Sequence, residues 1–236
     1  MSQQLGFLQK ELGRPVTLNR THYLAMGTFY DEHFKSLRGV GVVFDSTYGP
    51  NQGGKGYLFG TGYPYYGLTW EGSLTGVLEL PFVTQEMWGG ADLSFLERLI
   101  RESDENFHQA VTLNFHPHYR ICEEEGRTMW LGALRFARER KQWSPTAGEF
   151  YQFFKNRAQS PLRSRWTGTT LEIFTDSSQE NGALCLPSET AAGRSCREIE
   201  VDGVIPESRE LTNGWMKERL VPIGAGPHRI RVHYDK

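Results

Sequence analysis

The sequence lacks paired cysteines, an excess of charge of either sign and a long apolar run. Its 236 residues include three cysteines, and Cys122, Cys185 and Cys196 are too scattered for a disulfide framework or a CxxC metal site. We expect free thiols, although Cys185 and Cys196 could pair in an oxidising compartment. The net charge of −2 argues against a protein that coats nucleic acid, which would usually carry a basic excess.

Long apolar segments are also missing. No run approaches the roughly 18 apolar residues that a transmembrane helix needs. The first residues, MSQQLGFLQKELGR, contain no apolar stretch of signal-peptide length. We therefore expect no membrane partner and a cytoplasmic location by default. At ~150 residues per domain the length allows one large or two modest domains, and either arrangement can bury a sizeable core.

Up to about residue 160, short apolar segments alternate with segments of helical periodicity. Strands are predicted at residues 16–18, 40–44, 77–80 and 111–115, and helices at 4–12, 28–38, 93–100, 128–141 and from 146 onward. Asp92 is the predicted N-cap of the third helix. The alternation predicts an α/β domain with about four parallel strands, open or curled into a barrel.

From about residue 166 the pattern changes to strict alternation of apolar and polar residues. TTLEIF, REIEV and HRIRVHY each predict a strand with one buried face, and Asp202-Gly203 is a hairpin-turn signal. In the last strand three residues share the apolar face: Ile230, Val232 and Tyr234. We therefore predict two domains, an α/β domain over residues 1–160 and a small antiparallel, β-sandwich-like domain over residues 166–236.

Polar residues follow three of the predicted parallel strands. Asn19-Arg20 follows the first strand, Asp45-Ser46 the second, and His116-Pro117-His118 the fourth. Because the carboxyl ends of parallel strands meet at one rim, where active sites are built, these residues are candidates for an acid/base site. The alternative is that each is a loop residue that pairs with a neighbour.

Two further features bear on this rim. His22 could face it, whereas His33 lies in an amphipathic helix and is expected to be a partly buried core residue. No carboxylate stands at recognisable metal spacing from the histidines, so no metal site is predicted. Residues 46–73, which include Tyr48, form a long segment rich in glycine and aromatic residues. Its rings suit stacking on sugars, or they could simply cover a barrel mouth.

Four segments, taken in order, resemble a known family. They are NRTHYL at 19–24, GVGVVFDS at 39–46, VLELP at 77–81 and NFHPHY at 114–119. Together they are similar to the C-terminal half of a polysaccharide-deacetylase (NodB-type) domain, over roughly residues 4–157. That family folds as a distorted (β/α) barrel and hydrolyses acetyl groups on carbohydrates with a divalent metal, often zinc. The resemblance implies a partial barrel of the NodB type followed by a β-rich appendage.

The resemblance also implies residue roles. Arg20 matches the arginine of the third family motif, which orients the catalytic carboxylate, and Asp45 matches the acidic position of the fourth. His116 matches the histidine of the fifth, which protonates the leaving group or stabilises the tetrahedral intermediate. Four residues near the same rim are assigned to substrate binding: His22, Tyr23, Tyr48 and His118.

The sequence departs from the family where the base and the metal ligands should be. It contains no motif like TFDD and no His-x-x-x-His pair. We therefore expect no cofactor in this chain alone, although the complete family domain would hold zinc or another divalent metal. Two interpretations stay open: a carbohydrate deacetylase that needs its missing N-terminal half in trans, and a non-catalytic carbohydrate-binding or scaffold protein. An incomplete sheet could also close by forming a homodimer.

Overall fold

The computed structural model describes residues 2–27, 29–50, 55–57, 60–85, 92–116, 122–214 and 216–235. The chain divides into two compact units. Unit 1 comprises Met1–Asp104 and Gln109–Gly148, and unit 2 comprises Glu105–His108 and Glu149–Lys236. The predicted domain limits, 1–160 and 166–236, stay a prediction. No helix in the described ranges is long and apolar enough to cross a membrane.

Unit 1 contains helices and short strands in alternation. Its elements are α1 (Ser2–Leu12), β1 (Leu18–Asn19), α2 (Tyr30–Gly39), β2 (Phe44–Asp45), β3 (Tyr65–Leu68), β4 (Leu74–Glu79), β5 (Thr84–Gln85), α3 (Leu93–Glu102), β6 (Leu113–Asn114) and α4 (Glu124–Glu139). The strands β1, β2 and β4 run parallel in one sheet of order β1-β2-β4-β3. β5 and β6 form a separate parallel pair. The predicted mixed α/β class is thus confirmed. The predicted partial barrel of the NodB type is not confirmed.

One strand of this sheet falls where the sequence predicted a long loop. β3 lies within the segment 46–73 and pairs antiparallel with β4, which follows that segment. Gly67 lies in this strand and is needed for its packing. A Cβ atom at this position would lie 2.6 Å from the ring of Phe34. The bare backbone of β3 therefore lets α2 pack closely against the sheet. A glycine inside a strand normally lowers strand propensity, so the local pattern looks like a loop.

The helices α2 and α3 bury the apolar faces that their periodicity predicted, whereas Leu8 and Leu12 of α1 are exposed. Phe34 and Leu37 of α2 form an apolar cluster with Val42 and Val77. The Asp92 side chain accepts a 2.8 Å hydrogen bond from the Phe95 backbone N–H, which confirms the predicted N-cap of α3. The core of unit 1 therefore follows from ordinary amphipathic patterning.

Unit 2 holds most of α5 (Ala147–Gln159) and the remaining strands. These are β7 (Leu162–Thr167), β8 (Thr170–Ser177), β9 (Gly182–Pro187), β10 (Cys196–Val201), β11 (Arg209–Asn213), β12 (Met216–Ile223) and β13 (Gly226–Tyr234). They form antiparallel sheets of order β10-β13-β8-β7 and β11-β12-β9. Ile230, Val232 and Tyr234 are buried, as the alternation predicted. No disulfide bond joins the cysteines within the described ranges.

Candidate functional site

A row of polar residues crosses the parallel sheet of unit 1. Asn19 at the end of β1 pairs with Asp45 at the end of β2, and Asp45 pairs with Glu79 at the end of β4. Tyr65 of β3 continues the row beside Glu79. Residues paired directly across neighbouring strands point to the same face, so the four side chains are neighbours. Strand-end position and register thus create a polar cluster at the carboxyl ends of β1, β2 and β4.

Asp45 is fully buried and accepts hydrogen bonds at both carboxylate oxygens. Its Oδ1 accepts from Asn19 Nδ2 at 2.9 Å and from Thr47 Oγ1 at 2.7 Å. Its Oδ2 lies 2.7 Å from His33 Nε2. Burial raises the pKa of Asp45, but the hydrogen bonds from His33, Thr47 and Asn19 outweigh burial, and the net pKa lies below its usual value. Asp45 is therefore held as a carboxylate.

His33 belongs to this cluster. It was expected to be a partly buried core residue, but its side chain is almost fully buried and bonds to Asp45. A carboxylate oxygen only accepts, so His33 Nε2 must carry the hydrogen of this bond. The sequence offered a signal for this pairing: His33 lies on the same helix face as Phe34 and Leu37, and a buried polar group needs a hydrogen-bond partner.

Glu79 is a second member of the cluster that the sequence did not predict. It is fully buried, and its Oε1 accepts a 2.8 Å hydrogen bond from the Tyr48 backbone N–H. Its Oε2 is buried and receives no hydrogen bond from an N–H or O–H donor of the described residues. Burial and the negative charge of Asp45 raise the pKa of Glu79 to about 9. The available signal was a glutamate inside the apolar strand VLEL, where a charged side chain needs compensation.

Arg20 is joined to the same cluster through the residue that follows Asp45. Its Nη2 donates a 2.8 Å hydrogen bond to Ser46 Oγ, and Ser46 Oγ donates to the Leu80 carbonyl at 2.7 Å. The guanidinium carbon lies 4.9 Å from the ring centre of Phe82. Arg20 Nη1 is buried and has no hydrogen-bond partner among the described residues. Burial lowers the pKa of Arg20, and the charges of Glu79 and Asp45 oppose that shift.

The other residues of the sequence hypothesis lie in different surroundings. His22 and Tyr23 form an exposed 3₁₀ turn after β1, with ring centres 4.2 Å apart, and Tyr23 is 81% exposed. Tyr48 is half-buried, and its ring lies parallel to that of Phe34 at 6.5 Å. His116 is half-buried, two residues beyond β6, and β6 belongs to the separate two-stranded sheet. His118 lies outside the described residues.

The described residues around Asp45 do not fit a metal ion, because protein donors already engage both Asp45 oxygens. Over the described ranges, a single group of side chains is arranged closely enough to hold a metal. It consists of Glu198, Glu200 and His233, with ligand atoms within 4.8 Å of one another. This group lies in unit 2, and Arg231 Nη1 is 3.5 Å from Glu200 Oε2, so a protein cation already neutralises part of it.

Comparisons with protein families, with curated proteins and with solved structures find no match to this chain. The four sequence segments and the geometry of unit 1 are therefore the observations that bear on function. Chemically, unit 1 offers a fixed carboxylate, a second buried carboxyl, an imidazole and a guanidinium at one end of a parallel sheet. Such groups are typical of sites where charge or protons are handled.

Proposed function

We propose that this chain is the C-terminal part of a carbohydrate deacetylase of the NodB type, built on a partial (β/α) barrel. Its site would act on acetylated sugars once another polypeptide supplies the base and the metal ligands. The observation that carries the proposal is the polar cluster of Asn19, Asp45, Glu79 and Arg20 at the carboxyl ends of β1, β2 and β4. Active sites of parallel α/β folds lie at this end.

The free energy of burial supports a functional role for this cluster. Burying charged groups is costly, and replacing a buried ion pair by apolar residues of similar volume is often neutral or stabilising. A sheet centre that served packing alone would therefore be expected to carry apolar residues at Asp45 and Glu79. Ionisable side chains at both positions favour a site whose charges or protons are used.

Each residue has a role in this proposal. Arg20 orients the incoming catalytic carboxylate, for which its buried Nη1 offers a donor that no described residue uses. Asp45 places a negative charge near Arg20. The Asp45 carboxylate is held in position by hydrogen bonds from His33, Asn19 and Thr47. His116 protonates the leaving group or stabilises the tetrahedral intermediate, as the resemblance implies.

Complementation tests this function. The purified chain is incubated with N-acetylated oligosaccharides alone, with zinc, and with zinc plus the N-terminal half of a family deacetylase that carries the TFDD-like and His-x-x-x-His-like motifs. We expect acetate release in the last mixture only. Arg20→Gln should abolish it, whereas Arg14→Gln, at an exposed position, should not. Absence of acetate in every mixture, or equal release with Arg20→Gln, would overturn the proposal.

A second function, carbohydrate binding without catalysis, is favoured by a different observation. Two aromatic residues of unit 1 are far more exposed than rings usually are: Tyr23 at 81% and Trp70 at 73%. Exposed rings with a polar edge suit stacking on sugar faces. Affinity electrophoresis on acetylated and deacetylated glycans tests it. Retardation should be lost in Tyr23→Ala or Trp70→Ala and kept in Trp143→Ala, and unchanged migration on every glycan would remove this function.

A further inference from the structure

We propose that Glu79 carries a proton at neutral pH and shares it with Asp45 in a hydrogen bond between the two carboxyl groups. Glu79 would thereby be a positioning residue that holds Asp45 in its charged form. Its role in a catalytic site rests on the proposed function, but the shared proton does not. The resemblance assigns no role to Glu79, so the inference stems from the geometry of the sheet.

Register brings the two carboxyl groups together. Asp45 and Glu79 are directly paired on the parallel strands β2 and β4, and neither side chain is exposed to solvent. Two ionised carboxylates cannot lie side by side in a buried position without a large repulsion. A proton between them turns that repulsion into a hydrogen bond, and the charge of Asp45 and a hydrogen bond between the two side chains are among the causes that raise the pKa of Glu79. As long as the pH is below the value at which Glu79 ionises, the two carboxyl groups therefore bind one proton between them.

The hydrogen bonds decide which partner keeps the proton. Asp45 accepts from three donors, namely His33 Nε2, Asn19 Nδ2 and Thr47 Oγ1. Glu79 accepts from a single described donor, the Tyr48 N–H, and its Oε2 receives none. Hydrogen bonds to a carboxylate favour its ionised form, so the better-supplied Asp45 ionises first. Glu79 is left as the neutral acid, with its O–H directed to Asp45.

The surroundings of Glu79 agree with a neutral carboxyl. The titratable or charged groups that interact with it come from every neighbouring element: Asp45, Arg20, Tyr30, Tyr48 and Tyr65. Arg20 is the one cation of this set, and its Nη2 donates to Ser46 rather than to Glu79. Burial is the main cause that raises the pKa of Tyr48 to about 12, and burial also raises the pKa of Tyr30 and Tyr65, so the three phenols are neutral at pH 7 as well.

The shared proton makes folding depend on pH. A carboxyl group whose pKa is higher in the folded state binds a proton that the unfolded chain has released. Its contribution to stability is complete below the unfolded pKa, about 4.3. It is lost as the pH rises to about 9, the pKa of Glu79 in the folded protein. Over this window one proton changes the equilibrium constant for unfolding by up to about tenfold per pH unit.

Infrared spectroscopy of the full chain tests the proton directly. At pH 7 the exposed carboxyl groups are ionised, so a C=O stretch of a protonated carboxylic acid identifies a group such as Glu79. We expect this band in the wild type and in the exposed control Glu32→Gln, and its loss in Glu79→Gln. In the wild type the band should disappear near pH 9. Absence of the band at pH 7, or its persistence in Glu79→Gln, would overturn the proposal.

If Glu79→Gln does not fold, the disappearance of the infrared band near pH 9 in the wild type still tests the proposal. If it does fold, glutamine mimics the neutral acid, because its NH₂ donates to Asp45 and its oxygen accepts from Tyr48. Urea unfolding should then show that the wild type loses stability between pH 6 and pH 9 relative to Glu79→Gln. If the free energy of unfolding changed with pH in the same way in both proteins, that result would contradict the shared proton. None of these measurements uses acetate release, so failure of the deacetylase proposal and failure of this one are distinguishable.

Discussion

His33 on α2 and Asp45 on β2 are joined by a 2.7 Å hydrogen bond between two almost fully buried side chains. The bond fastens the helix to the end of a parallel strand, 12 residues further along the chain. It also fixes the hydrogen on His33 Nε2, because the carboxylate can only accept. The same carboxylate is the centre of the polar cluster, so the packing of α2 and the geometry of the candidate site depend on one another.

Replacing Asp45 by asparagine should therefore destabilise the protein. Asparagine places an NH₂ group where a carboxylate oxygen now accepts, so at least one buried donor among His33, Asn19 and Thr47 loses its acceptor. We expect Asp45→Asn to lower the free energy of unfolding by about 3 kcal/mol in urea unfolding at pH 7. The exposed control Glu32→Gln should change it by less than about 0.5 kcal/mol. Equal stability of the two variants would contradict the role assigned to Asp45.

The contact between α2 and β3 gives a packing prediction. A Cβ atom at Gly67 would lie 2.6 Å from the buried Phe34 ring. Gly67→Ala should lower the free energy of unfolding by about 1–3 kcal/mol, measured by thermal or urea unfolding. Phe34→Leu should reduce this penalty in the double variant, since the two positions are in contact. Gly39→Ala, where a Cβ meets nothing within 4 Å, is the control. Additive effects at positions 34 and 67 would contradict the close approach.

In unit 2, the turn residue Asp202 controls the titration of a histidine. Its Oδ2 lies 2.7 Å from His228 Nδ1, and this hydrogen bond is the main cause of the raised pKa of His228. Asp202→Asn keeps the positive φ of 54°, which asparagine tolerates, but removes the charge. The NMR titration midpoint of His228 should fall in this variant. The stabilisation from this pair is present below pH about 6.5 and is lost as the pH rises through the His228 pKa. An unchanged midpoint would contradict the assignment.

Acid should remove a second contribution to the stability of unit 2. Glu172 on β8 receives hydrogen bonds from Arg229 and Arg165, which lower its pKa to about 2. The sign is opposite to that of Glu79, because this stabilisation is present above the unfolded pKa of about 4.3 and is lost as the pH falls to about 2. We expect Glu172→Gln to be less stable than the wild type at pH 7, with the difference vanishing near pH 2. A difference that does not depend on pH would refute the ion pair.

The local elements were predictable wherever a single segment carries its own signal. Asp92 followed by apolar residues at helical spacing predicted the start of α3, and alternation predicted the buried face of β13. The strand-end positions of Asn19 and Asp45 were also visible in the sequence. β3 was missed because Gly67 weakens the strand pattern, although that glycine is what permits the close contact with Phe34.

The candidate site could be predicted only in part. Arg20 and Asp45 follow strand ends, which suggested a shared rim, and Ser46 does connect them. Glu79 and His33 were not predicted as members. Asp45 is paired with Glu79 only by the register of β2 and β4, and it meets His33, 12 residues away along the chain, only through the packing of a helix on a strand. A buried glutamate in VLEL and a histidine on an apolar helix face indicate that partners must exist, without naming them.

By itself the sequence determined the mixed α/β class, the amphipathic faces of α2 and α3 and the alternation that builds unit 2, because these depend on the spacing of apolar residues within one segment. The tertiary structure decided which strands are neighbours and in which register. That register set Asp45 beside Glu79 in a buried position, where burial and like charge raise the pKa of one carboxyl and three donors lower that of the other. The physical reason is that repulsion and desolvation depend on distances between residues far apart in the chain, which no local pattern specifies.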